Sequence, residues 1–284
     1  MPTFSIITAT RNAEQTLPRL LDSLAAQTCR DFNVIIQDCL SQDSTPALAQ
    51  KYQEQLPEIL VHSEADSGIY DAWNKALDRR HHRLGEWILF LGADDLLAAP
   101  DVLERSRTIL GALSEDVLYC CGDLVLFSED TLQERFVEAD MQTSFASLGR
   151  RMTVAHSALY HRKSVFSHAR FDATFRIAGD YDFLAKTWQR PEQGCNLGFT
   201  VTRMSDGGCS HNEENFKIAL SEKIRARRHH ICYWRLPLLL LDDCNDRMFG
   251  LKRRIKPLVY KTYVGKRIWN TLSSLRKRIF KQKR

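Results

Sequence analysis

Three features of the 284-residue sequence predict an α/β protein with a mostly parallel central sheet flanked by helices and a basic helical extension at its carboxyl end. The first hundred residues alternate short β-branched apolar runs with stretches whose leucines recur at helical spacing, the signature of β-α units. Acidic residues follow two of those runs, so in a parallel sheet they share one rim, at the carboxyl ends of the strands where open α/β sheets bind ligands. The charge is also uneven. Residues 223–284 hold 19 Lys and Arg against 3 Asp, a net +16, leaving residues 1–222 at −11.

Phe4 to Thr10 reads as the first strand, followed by a helix over Glu14 to Gln27 with Leu17, Leu20, Leu21 and Leu24 on one face. Phe32 to Gln37 is the second strand, Asp38 to Ser44 a polar turn, and Thr45 to Gln55 a helix. Ile59 to His62 makes a short third strand. Gly68 then permits a tight turn into a helix from Ile69 whose apolar face carries Trp73, Ala76 and Leu77. The amino end of that helix points towards the rim, where it favours an anionic ligand such as a diphosphate, with Asn74 one turn after Tyr70. Glu64, Asp66 and Asp71 also suit ordinary loop and first-turn chemistry.

The run from Ile88 to Leu97 reads as a buried strand that delivers adjacent carboxylates, Asp94 and Asp95. Two acids this close repel unless something offsets them, and a hard divalent ion, Mg²⁺ or Mn²⁺, does so while also gripping phosphate oxygens. The alternative is a turn in which Asp95 caps a helix starting near Leu96.

These segments together resemble the family 2 glycosyltransferases: Ser5 to Asn12, the Asp38 to Thr45 turn, Glu64 to Lys75 and Gly92 to Asp95 fall in that family's order. The likeness covers roughly residues 4 to 215 and is nearest to bacterial enzymes of colanic-acid, exopolysaccharide and lipopolysaccharide assembly. It implies a GT-A, Rossmann-like fold, a nucleotide-sugar donor and a metal. Thr8 and Thr10 would line the nucleobase pocket, Asp38 would bind the base, and Asn12, Asp66 and Asn74 would belong to the donor site. Asp94 would approach ribose or metal, and Asp95 would hold the metal on the diphosphate. The chain departs from the family's Asp-Gly-Ser at Asp38-Cys39-Leu40-Ser41, where a bulky Leu40 leaves the base identity open.

After a helix carrying Val102, Leu103, Ile109 and Leu110 come two strand-like runs, Val117 to Asp123 and Leu124 to Phe127. Met152 to His161 alternates like a strand with His156 in its middle; a histidine so placed is commonly a packed one, and the family likeness suggests an acceptor contact. Transfer with inversion by direct displacement needs one base for the acceptor hydroxyl, and the resemblance assigns it to Asp180 at a helix start. Asp182 is a further acceptor candidate, and Asp180 as a plain N-cap is the competing explanation. Gly207 and Gly208 read as a loop that orders over bound donor, with His211 as a conceivable late metal ligand.

The domain division expected is 1–222 for the transferase, with a donor half to about 100 and an acceptor half from about 101, then 223–284 for the extension. Trp269, Ile279, Phe280 and other apolar residues interleave with the cations of the extension, as in helices lying on anionic membranes. Packing on the core is the plainer alternative, and nucleic acid is not expected as a partner because no nucleic-acid motif accompanies the charge. Neither a membrane span nor a secretory leader is expected, which places the protein in the cytoplasm, peripheral on the inner face of the membrane. The acceptor expected is a glycan, lipid-linked. A sugar nucleotidyltransferase and a non-catalytic membrane-docked scaffold are the rival readings.

Overall fold

The computed structural model describes residues 2–128, 131, 133–205 and 213–229. Its centre is a nine-stranded sheet with the strands in the order 59–63, 32–38, 4–10, 87–90, 159–162, 119–127, 194–205 and 96–97, and 134–137 paired to 119–127. The amino-terminal strands β1 (Phe4–Thr10), β2 (Phe32–Asp38), β3 (Ile59–Ser63) and β4 (Trp87–Phe90) are mutually parallel. Helices α1 (Leu17–Ala25), α2 (Thr45–Lys51) and α3 (Ile69–Arg79) connect them. β1 lies between β2 and β4, so the chain leaves it towards one side first and returns to the other. Open α/β sheets bind ligands at such a reversal, outside the strands' carboxyl ends.

Burial explains these elements. All of β2 is buried and β1 is buried but for Ala9, as strands covered on both faces require. Leu17, Leu20, Leu21 and Leu24 are fully buried along α1, each contributing about 1.5–3 kcal/mol relative to exposure. The helix stops two residues short of the predicted Gln27. α2 likewise ends at Lys51 and tightens into a 3-10 turn over Tyr52–Glu54.

In the second half, β5 (Leu96–Leu97), α4 (Val102–Leu110), β6 (Tyr119–Phe127), β7 (Glu134–Val137), α5 (Met141–Ser147), β8 (Leu159–Arg162), α6 (Gly179–Thr187), β9 (Gly194–Ser205) and α7 (Glu213–His229) follow in order. Four of the predicted runs are drawn differently. The run from Ile88 breaks after Phe90, and Leu96–Leu97 crosses to pair antiparallel with β9. The two runs around residue 122 form one strand, β6, with an irregular register against β9 near Asp123. Gly122 is required there, because a Cβ would lie 2.2 Å from Val201 Cγ2 on β9. His156 sits in a 3-10 turn, His156–Ala158, ahead of β8 rather than inside a strand.

Residues 1–230 group as one compact unit, and α7 runs continuously past residue 222. The Gly207-Gly208 loop with His211 and the basic extension beyond 229 lie outside the described residues. Among the described residues no helix is long and apolar enough to cross a membrane.

Candidate active site

Three groups of side chains gather where the parallel strands end. The first is built by strand register, which sets Thr10 opposite Asp38 and Asp38 opposite Ser63. Asp38 is 0 % exposed. Thr10 Oγ1 (2.9 Å) and Ser41 Oγ donate to its Oδ1, while Ser63 Oγ (2.7 Å) and Ser41 N (3.0 Å) donate to its Oδ2. Burial alone would raise its pKa, but the bonds from Ser41, Ser63 and Thr10 outweigh it and hold the carboxyl below its ordinary value. Asn12, at a φ of 50°, ties the end of β1 to the same turn: Ser41 Oγ accepts from its N–H and its Oδ1 accepts from Gln42 N. Asp66 closes the next loop, where its Oδ1 accepts from Gly68 N at 3.0 Å and its carbonyl lies 4.0 Å from Cys39 Sγ. Thr8 is buried beneath, its Oγ1 without a partner among the described residues.

The second group follows β4. A Cβ on Gly92 would lie 2.7 Å from Asp94 Oδ1 and 3.1 Å from Asp95 Oδ2, so the two carboxylates converge over a residue that has no side chain. Asp95 is 4 % exposed, and its Oδ2 accepts from Gly92 N at 2.8 Å. Its Oδ1 is buried with no partner among the described residues. Burial first and Asp94 second push the Asp95 carboxyl up to about 7. Arg19 donates to the Asp94 carbonyl at 2.6 Å, fixing the turn's backbone. Among the described residues no set of three His, Cys, Asp or Glu gathers as a metal cage. Two hard oxygen ligands, one buried and unpartnered, do fit a divalent cation that takes its remaining ligands from phosphate oxygens and water.

The third group surrounds Asp180 in the first turn of α6. Tyr181 N donates to Asp180 Oδ1 at 2.8 Å, and Tyr70 OH, which donates to the Ile177 carbonyl at 2.7 Å, lies 3.3 Å from the same oxygen. The Tyr70 ring packs onto Gly179, where a Cβ would lie 2.7 Å from it. His156 is stacked on Trp73, centroids 5.1 Å apart, and Trp73 meets Phe90 at 4.7 Å, so a run of rings leads from the end of β4 towards the third group. Burial lowers the His156 pKa while the charge of Asp180 opposes that shift. Its Nε2 has no hydrogen-bond partner among the described residues.

The sequence profile described as Glycosyl transferase family 2 matches residues 5–165, which takes in the first two groups and the aromatic floor of the third. The chain belongs to glycosyl transferase family 2. It is 33% identical over 193 residues to a PGL/p-HBAD biosynthesis glycosyltransferase of Mycobacterium bovis, covering 67% of this chain and 71% of that one. It is 24% identical over 181 residues to a GalNAc(5)-diNAcBac-PP-undecaprenol beta-1,3-glucosyltransferase of Campylobacter jejuni, covering 62% and 56%. Among solved structures, S. aureus TarS 1–349 in complex with UDP-GlcNAc is similar with a TM-score of 0.60 and 18% identity, covering 79% of this chain and 66% of that one. Against a longer TarS chain the coverage of that chain is 39%. The mannosyltransferase PcManGT of Pyrobaculum calidifontis, in complex with GDP-Man and Mn²⁺, has a TM-score of 0.62 at 16% identity, covering 96% and 80%. These likenesses carry the GT-A fold, and the family makes the chain a glycosyltransferase.

Within the transferase, the structure gives four residues singled out by sequence their surroundings. Asp38, expected at the base, accepts two hydrogen bonds on each of its oxygens from the pocket's own strands and turn. Asn74 was expected at the donor. Instead its Nδ2 donates to the Phe171 carbonyl at 2.8 Å and its Oδ1 accepts from Phe171 N at 3.0 Å, so it clamps the backbone below Asp180. Asp182 is 1 % exposed and ion-paired with Lys186 on the inner side of α6, which withdraws it from an acceptor. Asp180 is not the N-cap: Ala178 holds that position, and Glu222 of α7 accepts from the amides of Arg176, Ile177 and Ala178. Sequence reading passed over Glu222, which lies more than forty positions away and beside the basic stretch.

Proposed function

We propose that this glycosyltransferase moves a sugar from a nucleotide-sugar donor to a lipid-linked glycan with inversion at the anomeric carbon, in bacterial surface polysaccharide synthesis at the cytoplasmic face of the membrane. The observation that carries the donor half is the buried, unpartnered Asp95 Oδ1 beside Asp94, over Gly92. Asp95, with Asp94 as partner, would hold a divalent cation. When bound, Mg²⁺ or Mn²⁺ supplies positive charge against the diphosphate. Thr8, Thr10, Asn12 and Asp66 form the nucleoside side of the cleft, on a turn that Asp38 keeps in shape.

In the transfer step the acceptor hydroxyl oxygen attacks the anomeric carbon as the bond from that carbon to the diphosphate oxygen breaks. The electron pair leaves with the nucleoside diphosphate, and the hydroxyl proton passes to Asp180. The Tyr181 amide donates to Asp180 Oδ1, which orients the carboxylate, and Tyr70 OH lies 3.3 Å from the same oxygen. His156, stacked on the buried Trp73, is the acceptor-side ring of this scheme. A lipid-linked acceptor is supported by the name of the Campylobacter relative and by the interleaved cations and aromatics after residue 229, a composition suited to anionic lipid.

The test is a thermal-shift screen of UDP-glucose, UDP-N-acetylglucosamine, GDP-mannose and dTDP-rhamnose with and without Mn²⁺, since a ligand that binds only the folded state raises its stability. One donor should shift the wild type in a Mn²⁺-dependent way, and Asp95→Ala should lose that shift. Asp180→Asn should keep it while turnover falls by about 10²–10⁴-fold. Undiminished turnover in Asp180→Asn would remove the base from this scheme.

A further inference from the structure

We infer that Glu222 is a positioning residue that fixes the backbone from which Asp180 is presented to the acceptor; the inference rests on Asp180 as the base. Helix α6 opens with Ala178 at its N-cap, and the backbone that leads into it, residues 176–178, is held from α7. Glu222, 7 % exposed, takes the Arg176 amide on Oε1 at 2.7 Å and the Ile177 and Ala178 amides on Oε2, both at 2.9 Å. A buried carboxylate receiving three backbone N–H groups is a strong, geometrically exacting contact.

The same segment is gripped again on either side. Arg225, three residues on along α7, lays its guanidinium 3.6 Å from the Phe175 ring centroid and donates to Thr174 Oγ1 at 3.1 Å. From α3, Tyr70 OH donates to the Ile177 carbonyl at 2.7 Å. Only Gly179 separates this held stretch from Asp180, and Gly179 is pressed against the Tyr70 ring, so it has no room to take up a shift. Displacement of residues 176–178 is therefore passed on to the Asp180 carboxylate. Glu222 touches neither donor nor acceptor in this scheme. Its effect is on where the base sits, and misplacement of a reacting group by about 1 Å can cost about a hundredfold in rate.

The experiment uses the full chain as wild type, Glu222→Gln, Glu222→Ala and Asp180→Asn. The donor is whichever of UDP-glucose, UDP-N-acetylglucosamine and GDP-mannose turns over with Mn²⁺; the acceptors are a detergent extract of bacterial lipid-linked glycans and, in parallel, water. Gln keeps one carbonyl oxygen for two of the three amides and sets its own N–H₂ against the third, whereas Ala keeps none. Transfer should fall by about tenfold or more in Glu222→Ala and by less in Glu222→Gln, with the donor KM unchanged. The ratio of donor hydrolysed to sugar transferred should rise several-fold, because mobile water tolerates a displaced base better than a bound hydroxyl does. That ratio does not depend on the fraction of enzyme folded, so a variant that only loses stability leaves it at the wild-type value. If Asp180→Asn is inactive and the ratio stays at the wild-type value in both Glu222 variants, the positioning role is overturned and the base stands. If Asp180→Asn still turns over, base and positioning role fall together. Should Glu222→Ala not fold, Glu222→Gln decides.

Discussion

Asp38, Leu40 and Gly92 show how single residues shape the donor rim. The family resemblance implies Asp38 as a base ligand, and its place at the end of a strand puts it on the rim. Thr10 and Ser63 become its partners only through sheet register, which no local pattern reveals. Because hydrogen bonds hold its pKa down in the fold, the stability it contributes is present above the ordinary value of 3.8 and is lost as pH falls through the folded value. Urea denaturation should therefore find Asp38→Asn clearly destabilised near neutral pH, with the difference from wild type shrinking as the pH drops below 3.8. Leu40, 52 % exposed at a φ of 46°, is a strained apolar residue beside that carboxylate; left-handed backbone costs an L-residue about 1–2 kcal/mol. Gly92 has the reverse constraint. Gly92→Ala puts a methyl 2.7 Å from Asp94 Oδ1, so the fold should persist while the Mn²⁺-dependent thermal shift from donor is abolished. A full shift in that variant would argue against the carboxylate pair as the cation site.

At the scale of elements, the periodic segments were legible and their ends were not. The leucine stripe of α1 and the buried runs of β1 and β2 follow directly from hydrophobic spacing. The break after Phe90, the fusion of two runs into β6 and the turn that carries His156 are decided by what each backbone meets across the sheet. Asn74 illustrates the same limit. Its position one turn into α3 suggested a donor contact, yet both ends of its amide bind Phe171, which joins α3 to the loop below α6. Asn74→Ala would leave the Phe171 N–H and C=O unpaired, costing about 1–3 kcal/mol in chemical denaturation, with donor affinity unchanged in the folded fraction. A selective loss of donor affinity with stability intact would restore the donor role.

The whole molecule divides its charge by sequence position, −11 over residues 1–222 and +16 over residues 223–284. Deleting the chain after Leu241 should release the protein from vesicles containing anionic lipid, and added salt should weaken wild-type binding in the same direction. Partitioning that ignores both would leave the cations with a role in packing. By itself the sequence determined the α/β class, the family, the rim on which Asp94 and Asp95 lie and the helix whose first turn carries Asp180, because each is written in local periodicity or in an ordered set of short motifs. Only the tertiary structure decided that Asp38 is saturated from within, that Asn74 binds the Phe171 backbone and Asp182 pairs with Lys186, and that Glu222 holds the backbone leading into α6. The physical reason is that hydrogen-bond saturation depends on which donors and acceptors meet in space. Those partners lie 25 to 97 positions apart for Asp38 with Ser63 and for Asn74 with Phe171, where no sequence spacing can pair them.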